Sequence, residues 1–373
     1  MKVFHCADVH LCSALASYGD PVKISMRNSE ILADFINAFD MADKEGASLF
    51  LISGDLFDTA EADPSVIMNL KSAMKQHPSV SFVLLSGNHD RHVTEYFEDD
   101  KPDNLYLLGE TWTSYDFGGV TVSGIEMGEN FISGISKASL DREKINIVML
   151  HGTVIDDRSA GSLKAFDDEN ISGSLLSDLS IDYLALGHIH EHREGRLFRG
   201  IQYVYPGCFE GRGFDEGGPH GVEVLDIDCE TRTINMEFRP MASRNVFIKD
   251  VDISGKKTCI DIIDTIKDAL ASDTDICSDD YVRVLLTGSV DMDSDRNTDL
   301  IRKSLESSYY AFSVKDNTTI AVDYHQFQND KSLKGQYIRD ILSDTSLSEK
   351  EKGEAIYIGL RALEAKKKED ISL

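Results

Sequence analysis

The chain has 373 residues, 41% of them hydrophobic, enough to bury a large core and to form more than one domain. Against 38 Lys and Arg stand 65 Asp and Glu, a net charge of −27, which argues against a surface that grips phosphates by basic residues alone. No apolar run approaches bilayer length, the start MKVFHCAD lacks a signal-peptide layout, and the six cysteines include no C-x-x-C pair, so no membrane association, disulfide framework or thiolate zinc site is expected and the expected location is the cytoplasm.

Residues 1–240 alternate strand-like and helical periods. VFHCAD reads as a buried strand, and RNSEILADFINAFDMADKEG follows with Ile31, Leu32, Phe35, Ile36 and Phe39 at helical spacing. SLFLISGD, a helical segment from Pro64 to Lys75, and VSFVLLSG come next, then INIVMLHG (145–152) and DYLALGHIH (182–190). This alternation predicts an α/β fold with a largely parallel sheet, and antiparallel pieces at 115–125 and 222–238 around the turn signals FGG and DCETRT.

After Pro240 the pattern restarts. NVFIKDVDI, CIDIIDTIKDALAS, YVRVLLTG, DLIRKSLES and YYAFSV predict a small α/β domain over 241–325. The remainder, 326–373, is charged and helix-prone, with Ile356, Leu360 and Leu363 forming a narrow apolar stripe suited either to packing on its own domain or to docking on another helix.

The strand exits of the first region share one composition. They read Asp8-Val9-His10, Gly54-Asp55-Leu56-Phe57-Asp58, Gly87-Asn88-His89-Asp90, His151-Gly152 and Gly187-His188-Ile189-His190. In an open α/β sheet ligands gather beyond the carboxyl ends of strands, so these side chains are expected around one crevice. Carboxylate and amide oxygens mixed with imidazoles, without sulfur, suit two divalent metals. An extended backbone through Asp8-x-His10 and His188-x-His190 would point both side chains of each pair to one face. Two ions about 3.5–4 Å apart need a bridging ligand, for which Asp55 is the candidate.

The order D-x-H, G-D-x-x-D, G-N-H-D, H-G and G-H-x-H resembles the calcineurin-like metallophosphoesterases. Within them the first 210 or so residues look like the nuclease subunit of SbcCD-type double-strand-break repair complexes, strengthened by Tyr205-Pro206-Gly207-Cys208-Phe209-Glu210. Cys208 stands where that family has Ser, and Cys12 where it often has Gly; neither position supplies a ligand. The resemblance implies a core of packed mixed β-sheets flanked by helices over 1–240, a capping domain over 241–325, and a C-terminal helical segment (326–373) that docks on the coiled-coil base of an SMC-like ATPase. It implies one metal held by Asp8, His10, Asp55 and His190, and a second by Asp55, Asn88, His151 and His188. His89 would be the general acid, Asp58 the carboxylate that orients it, and Asp90 a carboxylate behind the ligands. The ions would be Mn²⁺, with Fe²⁺ or Zn²⁺ compatible with the same donors. The substrate would be DNA, cut as an exonuclease at duplex ends and as an endonuclease on single strands, by a homodimer.

Other features carry less. His5 lies inside a strand and reads as structural, and His92, His192 and His220 have no assigned role. Asp291-Met292-Asp293-Ser294-Asp295 begins like a calcium loop, but Arg296 and Arg302 occupy the Gly and Glu positions, leaving an acidic turn. No P-loop motif is present. The charge of −27 keeps open a second reading, a phosphoesterase for small nucleotides or phosphoproteins.

Overall fold

A computed structural model describes residues 1–15, 21–59, 62–155, 169–291, 294–320, 330–348, 351–353 and 355–360. The contacts divide the chain into two compact units, Met1–Asn245 and Val246–Leu373. The strands of the first unit are, in chain order, β1 Lys2–Cys6, β2 Ala47–Ser53, β3 Ser81–Leu85, β4 Leu105–Leu108, β5 Thr113–Asp116, β6 Val120–Gly124 and β7 Ile145–His151. They continue with β8 Thr153–Ile155, β9 Asn170–Ser172, β10 Tyr183–Gly187, β11 Arg193–Arg196, β12 Gln202–Tyr205, β13 Gly221–Asp228 and β14 Thr233–Pro240.

Two six-stranded mixed sheets form, ordered β14-β13-β1-β2-β3-β4 and β11-β12-β10-β7-β6-β5. β1 to β4 run parallel to one another, as do β6, β7, β10 and β12, and the antiparallel strands sit towards the edges. The two-residue period of a strand explains why the central ones, buried on both faces, are apolar throughout. Val3, Leu49, Leu51, Val83 and Leu85 face one way and meet Val122, Ile147, Met149, Tyr183 and Ala185 of the second sheet. Phe4, Phe50, Ile52, Phe82 and Leu84 face the other way, under α1 (Pro21–Lys44) and α2 (Pro64–Gln76). On α1 the packing face is Ile31, Phe35, Ala38, Phe39 and Ala42, at the helical spacing the sequence predicts. The far side of the second sheet buries Val148, Leu150, Leu184 and Leu186 against Phe131, Ile135 and Leu176. The unit is therefore four layers, helix–sheet–sheet–helix, and truncating a central side chain such as Phe50 to Ala would cost about 3–5 kcal/mol.

Asp63 caps α2 by accepting the Ser65 N–H at 2.8 Å, and Pro64 occupies the first turn, where no amide proton is needed. The practical result of the layering is that β1, β2 and β3 of one sheet and β7 and β10 of the other release their chains at one shared edge.

The second unit is built on a parallel sheet of β15 (Val246–Asp252), β16 (Tyr281–Thr287) and β18 (Ala311–Asp316), with a small parallel pair β17 (Ser289–Val290) and β19 (Thr319–Ile320). Helices Cys259–Ala271 and Thr298–Leu305, capped by Thr258 and Asn297, bury Ile262, Ile266, Leu270, Ile301 and Leu305 against it. Of the two readings of the tail's apolar stripe, the described part follows packing within its own unit. Ile356 and Leu360 are fully buried with Ile338, because helix Leu333–Ser343 already supplies them an apolar partner. Leu363 lies outside the described residues, as do 326–329, 349–350, 354, the rest of the tail from 361, and Met292 and Asp293 of the acidic turn. No helix among the described residues is long and apolar enough to cross a membrane.

Candidate metal centre

The chains leaving β1 and β2 run on side by side. Asp8 N–H donates to Gly54 O at 3.1 Å, His10 N–H to Asp55 O at 3.0 Å and Leu11 N–H to Leu56 O at 2.9 Å. This segment is not extended, as the D-x-H spacing suggests. Asp8, His10 and Asp55 have φ of 52°, 49° and 50°, and His188 has φ of 101°. Left-handed backbone at four such non-glycine residues costs of order 1–3 kcal/mol each, and it persists because surrounding contacts fix it. The Asp8 carboxylate is turned to accept the His188 N–H at 3.0 Å on each oxygen, tying one sheet to the other. The same turn separates His188 from His190, which face different partners rather than a common one.

Those partners form two groups around Asp55. On one side His10 Nε2 lies 3.2 Å from His190 Nε2 and 3.7 Å from Asp55 Oδ2, and Asp8 completes a set with His10 and His190 whose donor atoms lie within 4.8 Å of one another. On the other side His151 Nε2 lies 3.4 Å from the same Asp55 oxygen and 2.9 Å from Asn88 Oδ1, which is also 3.3 Å from His188 Nδ1. One carboxylate oxygen thus stands between imidazoles from opposite sheets. The close approach requires glycine at two positions. A Cβ on Gly87 would lie 2.0 Å from Asp55 Oδ1, and one on Gly54, at φ 89°, would lie 2.2 Å from His151 Nδ1.

A further layer of groups holds the imidazoles. His10 Nδ1 faces Asp58 Oδ1 at 3.1 Å, His190 Nδ1 faces Glu216 Oε1 at 2.9 Å, and His151 Nδ1 donates to Ser53 O at 2.9 Å. Arg212 links the two carboxylates, donating to Asp58 Oδ1 at 3.0 Å and to Glu216 Oε1 at 2.6 Å. Asp90, fully buried, accepts Gly87 N–H at 2.7 Å and Phe57 N–H at 3.1 Å, so it locks the β2 and β3 exits together. His89 N–H donates to Asp55 Oδ1 at 2.9 Å while its ring stands partly exposed, Nδ1 3.2 Å from Asp58 O and 3.6 Å from Asp58 Oδ1.

The electrostatics follow from burial set against these partners. Burial would raise the Asp55 carboxyl, but the hydrogen bond from His151 and the charges of His151 and His10 bring it to about 2. Burial likewise loses at Glu216, drawn to about 2 by His190 and Arg212, and at Asp58, held well below the carboxylate range by His10, Ser13 and Arg212. Burial dominates at Asp90, lifted to about 6 with help from the Asp55 charge. His10 and His188 are pushed down chiefly by burial, whereas His151 rises to about 9 because Asp55 and Asp8 outweigh its burial.

The donor chemistry fits divalent cations. His190 donates its Nδ1 proton to Glu216 and His10 Nδ1 lies 3.1 Å from Asp58 Oδ1, so the two Nε2 atoms turn towards each other at 3.2 Å, an arrangement that a shared cation relieves. Imidazole held by carboxylate on its far nitrogen is the arrangement by which proteins orient histidine towards a metal. Donors of this kind are hard oxygens and borderline nitrogens, without thiolate.

Every residue singled out from the sequence for ligation or proton transfer lies at this edge: Asp8, His10, Asp55, Asp58, Asn88, His89, Asp90, His151, His188 and His190. His5 lies behind it, fully buried with Nδ1 2.9 Å from Tyr183 Oη. His220 is buried against Cys208 at 3.2 Å, and His192 pairs with Glu223 at 3.1 Å. Three further residues at the site went unrecognised in the sequence: Arg212, Glu216 and Glu169, whose Oε2 is 3.7 Å from His188 Nε2. The available signal was an Arg and a Glu four residues apart in the glycine-rich stretch GRGFDEGG, just past the last recognised motif.

The family model for the calcineurin-like phosphoesterase matches residues 1–192. Among curated proteins, the chain is 24% identical over 243 residues to an uncharacterized metallophosphoesterase of Bacillus subtilis, YhaO, covering 61% of this chain and 57% of that one. It is 24% identical over 273 residues to an SbcCD nuclease subunit of Staphylococcus epidermidis, SbcD, covering 65% and 70% respectively. It is 25% identical over 254 residues to DNA double-strand break repair protein Mre11 of Sulfurisphaera tokodaii, covering 62% and 61%. The chain thus spans less than two thirds of the length of two of these three relatives.

Proposed function

The chain belongs to the calcineurin-like phosphoesterase family, and from that premise we propose that this phosphoester hydrolase is a DNA phosphodiesterase of double-strand-break repair, acting on duplex ends and on single strands. The observation that carries the reading is Asp55 Oδ2 set between His10 and His151, with an oxygen–nitrogen donor group on either side. Asp8, His10, Asp55 and His190 would hold one divalent cation, and Asp55, Asn88, His151 and His188 a second, with Mn²⁺ the best match to the donors. Bound there, the cations supply neutralisation of the anionic phosphate and activation of water.

The chain's own groups do the rest. His89, outside both donor groups, presents its ring to solvent and protonates the departing sugar oxygen, an acid role typically worth about 10²–10⁴-fold. Asp58 stays ionised and steadies that imidazole through its carbonyl at 3.2 Å and its carboxylate at 3.6 Å, while Arg212 and Ser13 fix the carboxylate itself. Asp90 keeps Gly87 and Phe57 in place, and so keeps Asn88 and Asp55 in register.

The DNA reading is supported by the Staphylococcus and Sulfurisphaera relatives, one a nuclease subunit and one a break-repair protein. With it go a homodimer, an SMC-like ATPase partner for the C-terminal segment 326–373, and a DNA-steering role for the domain over 241–325. The net charge of −27 favours the second reading, a small nucleotide or phosphoprotein as substrate. The test uses the protein with Mn²⁺ on end-labelled duplex DNA and, in parallel, on bis(p-nitrophenyl) phosphate. Shortening of the duplex supports the DNA reading. Cleavage of the small diester with intact duplex, with and without the ATPase partner, contradicts it in favour of the second.

A further inference from the structure

A second group of donors lies outside the crevice, where the β3, β4 and β6 exits approach one another. His92 Nδ1 stands 3.7 Å from Glu95 Oε1, 3.7 Å from Glu110 Oε1 and 3.8 Å from Glu126 Oε1. These separations are too long for hydrogen bonds. They are close to the ligand–ligand spacing of about 3.4 Å around a tetrahedral ion with bonds near 2.1 Å. One donor atom each from His92, Glu110 and Glu126 lies within 4.8 Å of the others.

An acidic cluster of this sort is ordinarily a solvated surface, and His92, Glu95 and Glu110 are indeed exposed. Glu126 is different. It is 8% exposed, lines an open cavity of about 210 Å³ with Glu110 and His92, and its Oε2 is buried with no hydrogen-bond partner. A buried carboxylate oxygen without a donor is costly, and Arg91 and Asn130, which line the same cavity, give it none. Its other oxygen, Oε1, is the one that faces His92, and a cation bound there among the three side chains would neutralise this buried carboxylate.

We infer that His92, Glu110 and Glu126 form a third divalent-cation site, separate from the pair around Asp55, that takes Mn²⁺ or Zn²⁺ through one imidazole nitrogen and carboxylate oxygens. The cavity leaves room for water to complete the shell. Glu95 is placed to join as a further oxygen ligand. The site clamps the loop that carries Asn88 and His89. Val93 N–H bonds Asp90 O at 2.9 Å and Glu95 N–H bonds His92 O at 2.9 Å, so His92 is coupled to the segment just after His89. Glu126 N–H bonds Gly109 O at 3.0 Å, coupling the other two carboxylates to each other. An ion there joins the two halves.

The test is the number of Mn²⁺ ions bound per chain, measured by equilibrium dialysis with metal analysis, for the full chain, for Glu110→Gln/Glu126→Gln and for Asp55→Ala. The double variant is expected to bind one ion fewer than the unmutated chain, and Asp55→Ala to keep that ion. Because the readout is a difference of one, it holds whether or not the centre around Asp55 binds its pair. His92→Ala, a change at a half-exposed surface position, is the second variant and is expected to lose the same ion while its metal-free melting temperature is unchanged. Equal stoichiometry in all of the His92, Glu110 and Glu126 variants and the unmutated chain overturns the proposal.

Discussion

Carboxylates end strands in both units of this chain, but they do different things. In the second unit Asp252, at the end of β15, accepts Ser254 N–H at 2.8 Å and Ser254 Oγ at 2.6 Å. Asp316, at the end of β18, accepts Thr318 N–H at 2.9 Å and Thr318 Oγ1 at 2.6 Å. Each accepts from a residue two positions on, in its own turn, as short polar side chains at turns usually do, and Asp316 also lies 3.5 Å from Arg296. In the first unit Asp8 binds the backbone of His188, and Asp55 Oδ2 faces His10 and His151. These carboxylates are answered only by residues far along the chain, on backbone held at positive φ. The lesson is that an Asp at a strand end is informative when its partner is distant and the turn around it is strained.

That contrast can be broken by mutation. The largest effect is expected for Asp55→Ala, which removes the oxygen shared by both donor groups. Turnover should fall by more than about 10⁴-fold, beyond what loss of acid–base catalysis alone gives, together with loss of the ions around Asp55 in a metal-binding titration. Next is His89→Asn, expected to lower kcat by about 10²–10⁴-fold while metal stoichiometry stays as in the unmutated chain. Loss of metal in that variant would make His89 a ligand. Smaller again is Glu216→Gln, which leaves every donor in place but loosens His190. Metal affinity should weaken by about 10–100-fold by calorimetric titration. The smallest is Asp316→Ala in the other unit, which should cost about 1 kcal/mol in denaturant melts, the value of a local hydrogen-bonded turn, and leave activity unchanged. If Asp316→Ala silenced the enzyme while Asp55→Ala did not, the comparison would fail.

Much of this is legible in the amino-acid sequence. The parallel strands declare themselves as continuous apolar runs because both faces are buried, and their exits carry Asp, Asn and His in a fixed order. What the sequence could not convey is how a chain turns after a strand. The D-x-H and H-x-H spacings read as extended pairs, yet left-handed residues at Asp8, His10 and His188 send His188 to Asn88 and His190 to His10. The supporting groups were hidden for another reason. Arg212 and Glu216 sit in a glycine-rich loop where a charged residue is unremarkable, and only burial to 13% and 10% exposure shows that they brace Asp58 and His190. The tail's stripe left packing and docking both open, because sequence does not show that Ile338 covers Ile356 and Leu360.

The central claim, that residues far apart in the chain converge to hold two cations about one carboxylate, is tested most directly by anomalous diffraction from crystals grown in excess Mn²⁺. The account predicts two manganese peaks flanking Asp55, one among Asp8, His10 and His190 and one among Asn88, His151 and His188. A map without density at Asp55, in crystals where those side chains are ordered, would contradict it.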